Sequence, residues 1–157
     1  MELALAIPFA RVRIAVIALM NCTDLYRARW TEISVYVMSF KVIKVGDVKA
    51  VKILGGPIKP VVNAETVGSK NMVFALGVFD PGEGLVPHIH PESEEVYYVT
   101  KGSGTVYVGE EKKEMPIEAD VALYIPPGTV HGVRNTGDER LEIAFFVAPG
   151  KEPSKQV

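Results

Sequence analysis

The sequence has almost no cysteine and almost no excess charge of either sign. Its 157 residues include one cysteine, Cys22, and carry a formal net charge of −2. A single cysteine excludes an internal disulfide and suits a reducing compartment, so we expect a cytoplasmic protein. Long runs of Lys or Arg are absent, which argues against nucleic acid or an anionic membrane as the main partner. A chain of this length is expected to form one domain.

The first 37 residues differ in composition from the rest of the chain. Residues 2–20 are strongly apolar, but Pro8, Arg11 and Arg13 interrupt them, whereas a transmembrane helix needs about 20 apolar residues. The arginines lie inside the apolar stretch and no A-x-A-like cleavage site follows, which argues against a signal peptide. Residues 1–37 are either an extension laid against the domain or a partner subunit, or a segment preceding a natural start at Met38. The domain itself is expected at residues 38–157.

From about residue 48, short apolar segments alternate with turns rich in Gly and Pro, such as "LGGP" and "FDPGEG". No segment after Met38 keeps a helical period, so the pattern predicts an all-β sandwich or barrel with little helix. The tail "GKEPSKQV" is expected to be frayed. Alternation predicts two inward-facing sets of side chains, which are Met72, Phe74, Leu76 and Val78 in one strand and Leu141, Ile143, Phe145 and Val147 in another.

Two of the three histidines, His88 and His90, stand one residue apart in "LVPHIHPESEEVYYVTKG". A strand would place both on one face, with Cα atoms about 6.6 Å apart, so that both imidazoles could bind one metal ion. Glu94 and Glu95 follow on opposite faces of the next strand, and only one of them can point inward. The third histidine, His131, follows a rigid Pro-Pro-Gly turn. This pattern predicts a metal site.

Two segments resemble the conserved motifs of the cupin superfamily. "GEGLVPHIHPESEEVYYVTKG" is similar to the first motif, with matches at Gly82, His88, His90, Glu95 and Gly102. "DVALYIPPGTVHGVRN" is similar to the second motif, with matches at Pro126, Gly128, His131 and Asn135. One departure is that Asp120 or Ala119 stands where the second motif usually opens with glycine, which bears on the turn geometry there. The resemblance extends from about Met72 to Val147.

The resemblance implies a small jelly-roll barrel, a cupin-like double-stranded β-helix. Within it, His88, His90, Glu95 and His131 would bind one divalent metal ion, and the motif spacing selects Glu95 over Glu94. Three imidazoles and one carboxylate suit Fe, Mn, Ni, Co or Zn. On a six-coordinate ion they leave two positions for a small substrate that chelates through two oxygens.

The remaining residues narrow the chemistry without naming the reaction. No histidine is left as a general base, so acid–base work would fall to Glu95, to metal-bound hydroxide or to a tyrosine, for which Tyr97 is the candidate. Apolar inward faces favour metal-centred chemistry on a small molecule, with an oxygenase first and a lyase or isomerase second. Inward Lys or Arg that would bind a phosphosugar are not evident. The alternative is a binding or sensing module. A homodimer is expected, through edge strands such as "SVYVMSF" or "VKAVKIL".

Overall fold

Short antiparallel strands make up most of the chain in the computed structural model, which describes residues 40–150 and 154–157. The strands are β1 (Val51–Ile53), β2 (Gly56–Val62), β3 (Val73–Phe79), β4 (Gly84–Ile89), β5 (Glu94–Lys101), β6 (Ser103–Val108), β7 (Lys113–Glu118), β8 (Ala122–Ile125), β9 (His131–Arg134), β10 (Leu141–Ala148) and β11 (Lys155–Gln156). A 3₁₀ turn at Val45–Asp47 and the helix α1 (Ala64–Val67) are the only helical segments of the described residues. The expectation of an all-β fold with little helix is confirmed.

The strands form two facing sheets. One has the order β1-β2-β3-β10-β5-β8 and the other β11-β4-β9-β6-β7. All pairings are antiparallel. Buried side chains of both sheets meet in one apolar core, which includes Phe79, Val99, Val106, Val133, Leu141 and Ile143. This is the jelly-roll architecture that the resemblance to the cupin motifs implies. Burial of each such side chain contributes about 1.5–3 kcal/mol.

Strand β10 lies as its alternation predicts, with Leu141, Ile143, Phe145 and Val147 buried. The prediction for β3 is wrong, because the face of the strand opposite to the predicted one points inward. Ala75, Gly77 and Phe79 face the core, whereas Met72 is 45% exposed. Phe74 stacks on Phe146 with ring centroids 4.9 Å apart, and the residues paired across β3 and β10 share a face.

The inversion of β3 has a packing cause. Both faces of the strand are apolar, so alternation alone does not orient it. A Cβ atom at Gly77 would lie 2.5 Å from the ring of Phe79 and 2.6 Å from that of Phe145. The glycine therefore leaves space for two large rings on the inner face, and this packing needs Phe79 to point inward.

The turn that departs from the second motif keeps a left-handed backbone. Asp120 has φ 68, a conformation that glycine adopts freely and that Asp tolerates better than most residues. Its carboxylate accepts a hydrogen bond of 3.0 Å from the Tyr98 hydroxyl. The aspartate thus adopts a left-handed conformation that glycine would adopt without strain.

The end of the chain differs from expectation. Lys155 and Gln156 form β11, which pairs with Ile89 and His88 of β4, and the Val157 amide donates to the Pro87 carbonyl at 3.2 Å. The expectation of a frayed tail is wrong for these residues, because they satisfy backbone groups along the edge of β4. No helix in the described part of the chain is long and apolar enough to span a bilayer.

The segment at residues 1–37 lies outside the described residues, and its expected role as an extension stays a prediction. Phe40–Val157 form one compact unit.

Candidate metal centre

Three strands from both sheets bring the predicted ligands together. His88 lies near the end of β4 and His90 just beyond it, while Glu95 lies in β5 of the facing sheet. His131 opens β9 and is directly paired with His88. The site therefore lies between the sheets. His88 and His131 are fully buried, Glu95 is 4% exposed and His90 is 9% exposed.

The four side chains converge on one point. Their potential ligand atoms all lie within 4.8 Å of one another. Glu95 Oε2 lies 2.9 Å from His131 Nε2 and 3.2 Å from His90 Nε2. Two ligands that bind an ion at about 2.1 Å and at right angles are about 3 Å apart. The spacing and the mixed nitrogen and oxygen donors thus fit one divalent ion.

Two backbone carbonyls orient the imidazoles. His88 Nδ1 donates to the Val86 carbonyl at 2.9 Å, and His131 Nδ1 donates to the Thr129 carbonyl at 2.8 Å. Each carbonyl belongs to the residue two positions before its histidine. Because a carbonyl can only accept, Nδ1 of His88 carries the proton and its Nε2 keeps the lone pair that a metal needs. In His131 the same Nδ1 contact leaves Nε2 to face an ion, which would take the place of the 2.9 Å hydrogen bond to Glu95 Oε2. Sequence reasoning missed these contacts, since any residue type supplies a backbone carbonyl.

The protonation states also suit a metal. Burial, aided by the neighbouring His131, lowers the pKa of His88 from 6.5 to about 4. For Glu95, burial acts to raise the pKa, but hydrogen bonds from His131 and His90 outweigh it and lower the pKa below 4.5. At neutral pH the site therefore holds a neutral His88 and an ionised Glu95, the forms that bind a cation.

The two candidate glutamates have opposite environments. Glu95 points into the barrel with Tyr97 and Val99, whereas Glu94 is exposed. The Glu94 carboxylate accepts a 2.9 Å hydrogen bond from the Tyr124 hydroxyl on the outer face. Arg134 also points outward. Of the pair that alternation left open, the structure thus brings Glu95 to the site.

Tyr97 is buried beside the cluster. Its ring lies edge-on to that of His131, with centroids 5.8 Å apart. Only 1% of the residue is exposed, and its hydroxyl has no hydrogen-bond partner. Burial, and secondarily the charge of Glu95, raise the pKa of this hydroxyl well above 10, so it is a neutral donor.

A cavity of about 180 Å³ opens onto the cluster, and His88, His90 and Glu95 form part of its wall. The rest is mainly apolar and includes Ile53, Leu54, Ile58, Val73, Leu85 and Val147. None of the described lining residues is Lys or Arg. Because β3 is inverted, its contribution comes from Val73 and Ala75, not from the predicted Met72, Phe74 and Leu76.

The asparagine of the second motif is structural. Asn135 is fully buried, and its Nδ2 donates to the carbonyls of Phe79 at 2.8 Å and Glu139 at 2.7 Å. Its Oδ1 accepts from the Gly137 amide at 3.0 Å. These bonds fasten the turn after β9 to the end of β3, and none of them reaches the metal cluster.

Known proteins share this fold and sequence pattern. A family model described as "Cupin domain" matches residues 75–148. "Polyketide synthase CurC" of Streptomyces cyaneus is 32% identical over 109 residues, which cover 69% of this chain and 70% of that protein.

Two solved structures have the same fold. The polyketide cyclase RemF from Streptomyces resistomycificus aligns with a TM-score of 0.65 at 22% identity, over 76% of this chain and 86% of that one. A "predicted oxalate decarboxylase" from Thermotoga maritima aligns with a TM-score of 0.61 at 22% identity, over 69% and 99%. At such identities the likeness concerns the fold alone. Together with the family match and the identity to CurC, it shows that the chain belongs to the cupin domain family.

Proposed function

We propose that this chain is a small metalloenzyme that acts on a small chelating substrate, with oxygenase chemistry. His88, His90, Glu95 and His131 would hold one divalent ion of Fe, Mn, Ni, Co or Zn. The observation that carries the proposal is the convergence of four ligand atoms within 4.8 Å beside a cavity. A divalent ion supplies Lewis acidity there and, where it is redox-active, one-electron chemistry with dioxygen.

The protein's own residues prepare this site. The carbonyls of Val86 and Thr129 hold two imidazoles in one orientation, which reduces the reorganisation that ligand binding requires. The apolar walls offer water few hydrogen-bond partners, and electrostatic interactions would be stronger where a substrate displaces water. The site thus favours a substrate that binds the metal through a few oxygen atoms and packs its remaining carbon atoms against the apolar walls.

Tyr97 has a proposed role as a hydrogen-bond donor toward the substrate. A buried hydroxyl without a partner costs about 1–3 kcal/mol, and such groups in native structures call for an explanation. Tyr97 is not among the residues that line the cavity. Its edge-on contact with the ring of His131 supports a position beside the cluster, and the hydroxyl would have to move to reach a bound molecule.

Replacement of single histidines tests the proposal. His88→Ala, His90→Ala and His131→Ala should each lose bound metal and turnover, because each removes one of three nitrogen donors. Elemental analysis of untagged protein and oxygen uptake with chelating substrates are the measurements. Full activity in any one variant would contradict the proposal. Ligand binding without turnover in a protein that lacks stoichiometric metal would instead support a binding or sensing module.

A second candidate is a lyase- or isomerase-type ring closure of a β-ketone chain without dioxygen. The names of CurC and RemF, a polyketide synthase protein and a polyketide cyclase, favour it. Lewis acidity at a chelated diketone would serve either reaction. Turnover under argon would support the cyclase, and stoichiometric oxygen consumption would support the oxygenase.

The assembly is proposed to be a cytoplasmic homodimer. Strand β1 forms one edge of its sheet, and its Val51 and Ile53 are 47% and 39% exposed. An exposed apolar edge strand is commonly covered by pairing with a second chain. Light scattering during size-exclusion chromatography tests this, and a monomer at micromolar concentration would contradict it.

A further inference from the structure

The charge of the cluster and the chemistry of the cavity narrow the substrate class. Glu95 supplies the one carboxylate among the four ligands, and the other three are imidazoles. With a divalent ion, neutral imidazoles and one carboxylate have a net charge of +1. Glu95 is nearly buried, so this charge would be poorly screened by water.

No other charge in the described wall offsets or adds to this value. Glu95 is the only acidic lining residue of the described part of the chain, which contributes no Lys or Arg to the wall. Among the described lining residues, the occupant of the cavity therefore meets the single positive charge of the metal cluster in apolar surroundings.

An unpaired charge in apolar surroundings is costly. A monoanion would neutralise the site, a dianion would leave a net −1, and a neutral molecule would leave a net +1. The cavity of about 180 Å³ is also below the roughly 300–1,000 Å³ typical of drug-sized ligands. Its wall, with Ile58, Val73 and Leu85, favours alkyl groups on the bound molecule.

We infer that the site selects a compact monoanion that chelates through two oxygens and carries an alkyl group, such as a 2-oxo acid or a small β-diketone enolate, over a dianion of the same size. The inference rests on the proposed metal site but goes beyond it, because it attributes the preference for a monoanion over a dianion to the uncharged wall of the cavity. Dianionic oxalate is thereby a poor ligand for this chain.

Ile53 is the residue through which this selectivity can be changed. It lines the cavity and is 39% exposed, so a longer polar side chain can be accommodated there. Val51 lies two residues earlier in the same strand with similar exposure, and it is not among the lining residues. Val51→Arg therefore adds the same charge to the same edge strand, and with it the same disturbance of the proposed pairing of β1 with a second chain, without adding the charge to the cavity.

The test compares pyruvate with oxalate, which differ by a methyl group in place of a charged oxygen. Binding to the metal-loaded protein is measured by isothermal titration calorimetry. The dissociation constant of oxalate is divided by that of pyruvate, both for the protein and for the free metal ion in water. Dividing the first ratio by the second removes the difference in how strongly the two anions chelate the ion itself. Wild-type protein should show a normalised preference for pyruvate of at least about tenfold, and Ile53→Arg should reduce it by about tenfold. Val51→Arg should leave it unchanged.

The outcomes separate the inference from the proposed function. A metal-loaded protein with no normalised preference, or with an equal shift in both arginine variants, overturns the inference and leaves the metal site standing. Failure of the wild-type protein to bind any of the five candidate metals overturns both. Phenylpyruvate tests the compact size, because tighter binding than pyruvate would contradict a small cavity.

Discussion

The two faces of β5 carry the same residue types in opposite roles. On the inner face, Glu95 contacts two histidines and Tyr97 is buried without a hydrogen-bond partner. On the outer face, Glu94 bonds to Tyr124 and Tyr98 bonds to Asp120. Because neighbouring residues of a strand point to opposite sides, one position separates a candidate metal ligand from a surface contact. The role of a glutamate or a tyrosine in β5 therefore depends on the face of the strand to which its side chain points.

The largest difference between the faces is expected at the two glutamates. Glu95→Gln should weaken metal binding by about 1,000-fold, or about 4 kcal/mol, because it removes the only charged donor. This exceeds the roughly 10–100-fold cost of losing a residue that merely supports a ligand. Glu94→Gln is the matched control and should bind metal as the wild type does. Competition with a chelator measures both, and equal losses would contradict the assignment of Glu95.

Acid should destabilise the metal-free protein, because it protonates two buried side chains of the cluster, His88 and Glu95. His88 has a pKa of about 4 in the folded protein and about 6.5 when unfolded, so the unfolded chain binds more protons between these values. Stability should therefore fall as pH drops from 6.5 to 4, by about 3 kcal/mol. Glu95, whose folded pKa is lowered, adds a loss below pH 4.5.

Urea unfolding at several pH values measures this effect. His88→Gln should flatten the dependence between pH 6.5 and 4, whereas Glu94→Gln should keep the wild-type slope. An unchanged slope in His88→Gln would show that other groups govern acid unfolding.

The two tyrosines should differ in turnover. If Tyr97 donates to the substrate, Tyr97→Phe lowers turnover by about tenfold while metal content stays complete. Its stability should not fall, because the hydroxyl it removes has no partner. Tyr98→Phe, on the outer face, should turn over normally. Wild-type turnover in Tyr97→Phe would exclude a role for its hydroxyl.

The smallest effect is expected at the outer contact of Tyr98. Asp120→Gly removes an exposed hydrogen bond but relieves a left-handed backbone at φ 68. The two changes oppose each other, so stability should rise by no more than about 1 kcal/mol. Gly102→Ala is the contrast, since its Cβ would lie 2.5 Å from the Arg140 carbonyl oxygen, and it should be clearly destabilising. Denaturant midpoints compare the two.

The β3 strand shows the limit of reading a face from alternation. Its residues are apolar on both sides, and the side that faces inward was settled by space for Phe79 and Phe145 around Gly77. In β10 the same reasoning succeeded, because Glu142 marks the solvent side. Alternation is therefore informative only where one face carries a polar residue.

By itself, the sequence determined the all-β class and the two histidine segments, because strand periodicity is a local property of the chain. Its resemblance to the cupin motifs, which is also local, supplied the four candidate ligands and the choice of Glu95 over Glu94. Tertiary structure alone decided which carbonyls orient His88 and His131, which face of β3 lines the cavity, and how β11 covers β4. These features join segments distant in sequence or use backbone atoms that every residue has. The packing of the folded chain therefore decides these features, and they cannot be inferred from the types of the residues involved.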